Sequence, residues 1–202
     1  MGNKKYKNIV FDVGDVLFSY RWIELFTENG CPEDKANEIF KRLFTDDLWV
    51  ELDKETMSYE AVTDGFCEKF PEDADYIRYF FEHYEEMPLP RYEVWDAVRK
   101  LKEKGYMIYI LSNYCSVLFN AHTKNAPFMQ YVDGMVVSYM IHTCKPDPLI
   151  FETLFERYGL DPEESLFFDD RIGNVEGSKK VGMDAILVES EDFLVKELSK
   201  LL

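Results

Sequence analysis

The sequence predicts an α/β protein whose core is a parallel β-sheet and whose first strand is followed by a helical insertion. Two observations predict this class. From residue 92 onward, short apolar runs alternate with helical patterns, which is typical of parallel sheets with right-handed crossovers. Between the first apolar run and that region, residues 19–87 hold amphipathic segments and no convincing strand.

Five short apolar runs are predicted as strands. Asn8–Phe11 is rich in Ile, Val and Phe and ends at Asp-Val-Gly-Asp, where a glycine suits a tight turn. The later runs are residues 106–111, 134–138, 165–168 and 185–188. Apolar runs of this length are expected of strands that are buried on both faces of a sheet.

Helical patterns fill the spaces between these runs. In residues 92–104, Val94, Val98 and Leu101 recur at three- and four-residue spacing, and Gly105 follows as a predicted C-cap. Further helices are predicted at residues 148–158, 174–181 and 191–202.

The insertion holds four amphipathic segments, at residues 22–28, 33–44, 58–70 and 73–84. Pro88-Leu89-Pro90 then marks the return to alternating strands and helices. We therefore predict an α/β core formed by residues 1–18 and 88–202, with residues 19–87 as a separate helical unit.

Composition narrows the classes of function. A net charge of −16 argues against nucleic-acid binding, which needs basic surfaces. The four cysteines are far apart and form no CxxC pair, which fits a reducing compartment. The N-terminal apolar stretch is interrupted by two aspartates, unlike a signal peptide or a membrane span. We expect a cytoplasmic protein with no membrane and no nucleic-acid partner; the sequence leaves its oligomeric state open.

Polar residues follow the predicted strands, where an open parallel sheet binds its ligands. They are Asp12, Gly14 and Asp15 after the first strand, Ser112 and Asn113 after the second, Asp169 and Asp170 after the fourth, and Lys145 in a loop before a helix. Each alone has an ordinary interpretation as a turn residue, a helix cap or a surface lysine. Together they are what phosphoryl transfer through an aspartyl-phosphate requires: a carboxylate nucleophile, oxygen ligands for a hard cation, and donors for phosphoryl oxygens.

The order of these segments resembles that of the haloacid dehalogenase-like hydrolase superfamily. The resemblance rests on four motifs, at residues 9–17, 110–113, 145–147 and 167–174, and it covers the whole chain. It implies a Rossmann-like core, and it places the helical insertion where the family has a small mobile cap.

The resemblance also implies roles for single residues. Asp12 would be the nucleophile, and Lys145 would act with it. Mg²⁺ would be held by the Asp12 carboxylate, the Gly14 carbonyl and Asp170, while Asp169 and Asn174 would orient those ligands. The transferring phosphoryl group would be bound by Ser112, the Asn113 amide and Lys145.

Gly14 departs from the family pattern. Most phosphatases of the superfamily have an aspartate two residues after the nucleophile, as general acid and then base. The Asp-x-Gly-x-Val form resembles a branch that includes α-glucose-1-phosphate phosphatases and relatives of the phosphatase domain of soluble epoxide hydrolase. Asp15 could supply the proton, or it could brace the turn, because a shift of one residue redirects its side chain.

The insertion is rich in aromatic residues, most of which we expect to form its own core. They are Trp22, Phe40, Phe44, Trp49, Tyr59, Phe66, Phe70, Tyr76, Tyr79, Phe80 and Phe81. Residues 46–52, with Trp49, are predicted as a loop that faces the substrate. His83, His122 and His142 lie outside the motifs, and we interpret them as structural or surface residues.

The sequence therefore favours a Mg²⁺-dependent phosphatase for small phosphorylated metabolites, with sugar phosphates as the leading candidate substrates. Because Gly14 removes the usual acid-base group, a second hypothesis stays open: a weak or inactive relative that binds a phosphometabolite or a protein partner. Metal-independent dehalogenation is a third hypothesis, which the predicted metal site at Asp169-Asp170 disfavours.

Overall fold

A computed structural model describes residues 5–202 of the chain. Within these residues a five-stranded parallel sheet forms the core. Its strands are β1 (Asn8–Phe11), β4 (Met107–Ser112), β5 (Gly134–Val137), β6 (Ser165–Asp169) and β7 (Asp184–Leu187). They lie side by side in the spatial order β5-β4-β1-β6-β7. The predicted α/β class with a Rossmann-like parallel sheet is confirmed.

Ten α-helices accompany the strands in the described part of the chain. They are α1 (Trp22–Glu28), α2 (Glu33–Phe44), α3 (Asp47–Lys54), α4 (Tyr59–Lys69), α5 (Ala74–Glu82), α6 (Tyr92–Glu103), α7 (Ser116–Thr123), α8 (Pro148–Tyr158), α9 (Ile172–Lys180) and α10 (Glu191–Ser199).

The sheet is buried on both faces. Side chains alternate along each strand, so Val10 contacts the cluster beneath α8 and α9, while Ile9 and Phe11 contact the cluster beneath α6 and α10. All four residues of β1 are buried, as expected of the central strand of a parallel sheet.

Several element ends differ by one or two residues from the prediction. β4 begins at Met107 and includes Ser112, because Ser112 pairs with Val137 of β5. β7 begins at Asp184, which pairs with Leu166. The ends of a strand are set by backbone hydrogen bonds to the neighbouring strand. The apolar pattern of a single segment does not show where those bonds begin and end.

The helical insertion, which we call the cap, joins the core through a small sheet that the sequence did not predict. β2 (Phe18–Tyr20) pairs antiparallel with β3 (Pro88–Pro90). Our statement that residues 19–87 hold no strand was therefore wrong for residues 19 and 20. Strands of three residues are too short for a periodic pattern, and prolines argue against a strand except at an edge. The division into residues 1–18 with 88–202 and residues 19–87 stays a prediction, and residues 1–4 lie outside the described residues.

The segment 46–52, predicted as a loop, is a helix. Asp46 is the N-cap of α3, and its side chain accepts a hydrogen bond from the Leu48 backbone N–H at 3.1 Å. Leu48, Trp49 and Leu52 recur at helical spacing, and Trp49 and Leu52 are buried. The pattern that we took for a loop is that of a capped amphipathic helix.

No helix within residues 5–202 combines the length and the apolar character that crossing a membrane requires.

Candidate active site

A pocket of about 270 Å³ lies between the cap and the carboxyl ends of the core strands. It opens beside β1 and β6, where the chain order across the sheet reverses, and this is where open α/β sheets bind ligands. The core side of the pocket is lined by Asp12, Ser112, Asn113, Lys145, Asp170 and Asn174. The structure thus brings together residues that the sequence spreads over more than 160 positions.

Asp12 directly follows β1, and its side chain is nearly buried. One carboxylate oxygen, Oδ1, accepts a hydrogen bond from the Val13 backbone N–H at 2.7 Å and lies 3.0 Å from Nζ of Lys145. Burial raises the pKa of the Asp12 carboxyl to about 6, and the positive charge of Lys145 opposes that rise. At neutral pH Asp12 is therefore mostly a carboxylate held in a fixed orientation.

Lys145 has no solvent-exposed side-chain surface. Its ammonium group donates to Asp169 Oδ2 at 2.7 Å and to the Leu111 carbonyl at 2.8 Å, and it contacts Asp12. Burial acts to lower the pKa of Lys145, but the charges of Asp12 and Asp169 outweigh it and raise the pKa above its ordinary value. Lys145 is thus a permanent positive charge inside the pocket.

Both carboxylate oxygens of Asp169 are occupied by protein donors. Oδ1 accepts from the Arg171 backbone N–H at 2.8 Å and from Asn174 Nδ2 at 3.0 Å, while Oδ2 accepts from Lys145 and from Asn174 Nδ2 at 3.1 Å. Asp169 therefore orients Lys145 and the start of α9, and it has little capacity left to bind a ligand directly.

Carboxylate oxygens of Asp12, Asp169 and Asp170 lie within 4.8 Å of one another. Burial, and then the charges of Asp12 and Asp169, raise the pKa of Asp170 to about 8. Carboxylates that oppose one another's ionisation in this way are relieved by a bound cation, and oxygen donors suit a hard divalent metal. The group can bind a metal.

Asn113 and Ser112 continue β4 into the pocket. The Asn113 side chain accepts from the Lys145 backbone N–H at 2.7 Å and donates to the Lys145 carbonyl at 3.0 Å. Its side-chain amide therefore holds the Lys145 loop. Ser112 is buried beside Asp12, and its hydroxyl acts to lower the pKa of that carboxyl.

A family model described as haloacid dehalogenase-like hydrolase matches residues 6–182. The chain belongs to that family of hydrolases. Its match to the D-ribitol-5-phosphate phosphatase of Bacteroides thetaiotaomicron is 26% identical and covers 97% of this chain and 98% of that protein. A phosphatase of Mycobacterium tuberculosis is 33% identical over 111 residues, which is 52% of this chain and 51% of that protein. The mouse acyl-CoA dehydrogenase family member 10 is 26% identical, and this hydrolase spans only 20% of it.

Solved structures agree with the family. A crystal structure of a haloacid dehalogenase family enzyme from Bacteroides thetaiotaomicron has a TM-score of 0.71 and 26% identity, covering 93% of this chain and 95% of that chain. The same enzyme with magnesium and inorganic phosphate bound has a TM-score of 0.70 and 25% identity, covering 92% of this chain and 95% of that chain. This hydrolase therefore shares its overall fold with an enzyme that was solved with magnesium and inorganic phosphate bound.

Gly14 of this hydrolase faces an aromatic ring. A Cβ at position 14 would lie 2.8 Å from Cε2 of Tyr20. The Tyr20 ring thus fills the space that a side chain at position 14 would need. Asp15 also lines the pocket, but both of its carboxylate oxygens are engaged: they accept from the Tyr20 backbone N–H at 3.0 Å and from the Trp22 indole N–H at 3.2 Å. This is the bracing geometry, and the proton-donor alternative finds no support in these contacts.

A chain of hydrogen bonds behind Tyr20 was missed from the sequence. The His122 Nε2 bonds the Tyr84 carbonyl at 3.0 Å, so that nitrogen carries the proton, and Nδ1 accepts from the Tyr114 hydroxyl at 2.6 Å. Tyr114 is then free to accept from the Tyr20 hydroxyl, which contacts it closely. His122 is a buried structural residue, as predicted, although its contacts lead to the wall of the pocket.

The cap supplies the opposite wall of the pocket. Its lining residues are Tyr20, Trp22, Phe40, Phe44, Trp49, Leu52, Asp53 and Tyr84. Trp49, predicted to face the substrate, is 5% exposed; it lines the pocket and also stacks on Phe44 within the cap core, with ring centroids 4.3 Å apart. Asp53 lies four residues later on the same face of α3, and it was not predicted from the sequence as a pocket residue. The helical spacing of Trp49 and Asp53 would have revealed it if α3 had been recognised.

Proposed function

We propose that this hydrolase is a Mg²⁺-dependent phosphatase for small phosphomonoesters, sugar phosphates first, acting through an aspartyl-phosphate on Asp12. The observation that carries the proposal is the arrangement of Asp12, buried Lys145 and Asp170 around one pocket at the carboxyl ends of β1 and β6. The similarity to two phosphatases, and to an enzyme solved with magnesium and inorganic phosphate bound, supports it.

Asp12 would attack phosphorus, because its carboxylate is ionised at neutral pH and faces the pocket. Lys145 and Ser112 would hold phosphoryl oxygens, and the Lys145 charge would offset the negative charge that develops during transfer. Asp169 and Asn174 would keep Lys145 and the following helix in place.

Mg²⁺ fits the donor set on chemical grounds. The Asp12 and Asp170 carboxylates and the Gly14 carbonyl would hold it, since carboxylate and carbonyl oxygens are its preferred protein ligands. Bound there, it would neutralise carboxylate charge and polarise the phosphoryl group.

The pocket argues for small substrates. About 270 Å³ accommodates a compact metabolite, and the cap covers the side of the pocket that faces away from the sheet. The wall contributed by the cap combines aromatic rings with one carboxylate, Asp53, which suits stacking on and hydrogen bonding to a polyol or sugar. The cytoplasmic location stays a prediction from the sequence.

The test is a screen of phosphomonoesters with the wild type and Asp12→Asn, each with Mg²⁺ and with chelator. We expect turnover that requires Mg²⁺ and that falls at least about a thousandfold in Asp12→Asn. Asp64→Asn is the matched control, because Asp64 is an exposed residue that pairs with Arg78 at the surface. Thermal melting of each variant checks that it is folded.

Three outcomes would contradict the proposal. Full activity of Asp12→Asn would remove the nucleophile. Phosphate binding without turnover of any ester by the wild type would favour a binding protein. Halide release from haloacids that is unchanged by chelator would favour dehalogenation.

A further inference from the structure

The missing acid-base group at Gly14 leaves a chemical requirement unmet. An alkyl phosphomonoester needs a proton on its leaving oxygen, and the aspartyl-phosphate then needs a base to activate water. Position 14 cannot provide that group, and the Tyr20 ring occupies its space. Another side chain that lines the pocket has to exchange the proton, given the phosphatase function proposed above.

The Tyr20 hydroxyl does not suit this role. Its proton is directed to Tyr114, whose proton is directed to His122 Nδ1. Burial is the main cause that raises the pKa of both tyrosines well above their ordinary range. Neither tyrosine therefore forms the phenolate that would be needed to take a proton from water. Tyr20 is therefore a spacer whose hydroxyl is held by the protein.

Asp53 has the position that the chemistry requires. Asp53 lines the pocket from the cap, and its carboxyl lies within range of the charges of Asp12 and Lys145. It also lines a neighbouring cavity that shares Lys145 and Asn174 with the pocket. It is not part of the acidic cluster of Asp12, Asp169 and Asp170. Within residues 5–202, burial and nearby charges act on the Asp53 carboxyl, but no protein group donates a hydrogen bond to it. Its oxygens therefore remain available to a substrate.

Three hydrogen bonds hold this end of α3 against the core. The Ser138 hydroxyl donates to the Asp53 carbonyl at 2.5 Å, and His142 Nδ1 donates to the Lys54 carbonyl at 2.7 Å. The Ser116 hydroxyl donates to the Glu55 carboxylate. The Asp53 side chain is thereby placed over the pocket by its own backbone contact with the core, whenever the cap is seated as in this structure.

We propose that Asp53 is the catalytic acid and base of this enzyme, supplied by the cap in place of the residue missing at Gly14. In the first step the Asp12 oxygen bonds to phosphorus, the P–O bond to the alcohol breaks, and protonated Asp53 gives its proton to the leaving oxygen. In the second step the Asp53 carboxylate takes a proton from water as the water oxygen bonds to phosphorus and the Asp12–phosphorus bond breaks. Alcohol and phosphate are released, and both carboxyl groups return to their initial states.

The electrostatic environment agrees with this role. Burial raises the pKa of Asp53 to about 7, opposed by Arg171 and Lys145 and reinforced by Asp12. A carboxyl near neutrality can both donate and accept a proton at physiological pH. The other titratable groups that interact with it across the pocket are Tyr84, Tyr114, Cys115 and Cys144.

Asp53→Asn tests the proposal with two substrates that differ in their leaving group. p-Nitrophenyl phosphate releases a stable anion without a proton, whereas an alkyl ester such as glycerol phosphate needs one. With p-nitrophenyl phosphate we expect a burst of about one equivalent of nitrophenolate per enzyme, followed by slow turnover, because only the second step lacks its base. With the alkyl ester we expect kcat to fall by about a hundred- to ten-thousandfold and no burst of product.

Glu55→Gln is the matched control, since it removes one carboxylate from the same helix end and keeps an acceptor for Ser116. Asp53→Glu, which restores the carboxyl one methylene farther out, should regain part of the alkyl-ester activity. A rise in KM with unchanged kcat would overturn the proposal and make Asp53 a substrate-binding residue. Equal losses on both substrates without a burst, or activity within about threefold of wild type, would overturn it too.

This experiment separates the inference from the function on which it rests. If the wild type hydrolyses both esters in an Asp12-dependent manner and Asp53→Asn behaves as wild type, only the Asp53 assignment fails. If the wild type hydrolyses neither ester, nor any other in the screen, the phosphatase function fails.

Discussion

Gly14→Ala is the substitution that most directly tests the packing at the pocket. The new Cβ would lie 2.8 Å from Tyr20 Cε2, a distance well inside van der Waals contact. The ring cannot swing away freely, because its hydroxyl contacts Tyr114 and its edge packs on Trp22, with ring centroids 4.9 Å apart and planes at 82°. Relief requires either a broken hydrogen bond or a shifted backbone.

Overpacking of this kind costs about 1–3 kcal/mol of unfolding free energy. For a chain of this size, each kcal/mol lowers the melting temperature by about 2–4 °C. The backbone of Gly14 is not in the left-handed region, so the cost is steric. A Gly→Ala change that fits its site instead stabilises by about 0.4–1 kcal/mol, because it reduces the entropy of the unfolded chain.

The assay is urea unfolding of Gly14→Ala in the wild type and in a Tyr20→Leu background, which opens the space. We expect Gly14→Ala to destabilise the wild type and to be neutral or stabilising beside Tyr20→Leu, a coupling of at least about 1 kcal/mol. Equal destabilisation in both backgrounds would refute the claim that the Tyr20 ring excludes a side chain at position 14.

Two further predictions concern buried ionisable groups. Burial lowers the pKa of His122 to about 4, below its unfolded value, so stability present above pH 6.5 is lost as pH falls toward 4. Between pH 7 and pH 5 the free energy of unfolding, measured with urea, should fall by about 2 kcal/mol in the wild type because of His122. In His122→Gln the fall between the same two pH values should be smaller by that amount. Lys145→Met leaves the buried Asp169 carboxylate without its cation, and should cost about 3–5 kcal/mol in the same assay. Lys102→Met, which breaks a surface pair with Asp133, should cost less than about 1 kcal/mol; similar costs for both would contradict the argument.

Much of the core could be predicted from local sequence. β1 was placed to the residue because a buried parallel strand is a continuous apolar run, and Asp12 follows it directly. Ser112, Lys145 and Asp170 were predicted to lie near Asp12 because the strands of a parallel sheet all end at one edge, and all four residues line one pocket. Position along the chain is then enough to bring those residues together.

The cap could be predicted only as a helical unit. β2 and β3 are three residues each and are stabilised by pairing with each other, which no local pattern shows. α3 was taken for a loop, so Asp53 was not recognised as a residue that faces the pocket. Where a helix face points depends on what it packs against.

The sequence by itself determined the fold class, the family resemblance and the residues at the strand ends, because strand alternation and the residue after each strand are local properties. It also showed that Gly14 lacks the usual carboxylate. Only the tertiary structure decided what stands there: Tyr20, eight residues after Asp12, turns back to fill the space, and Asp53 reaches the pocket from the cap. Both depend on the seating of the cap on the core through contacts between residues far apart in the chain, and such contacts have no signature in any one segment.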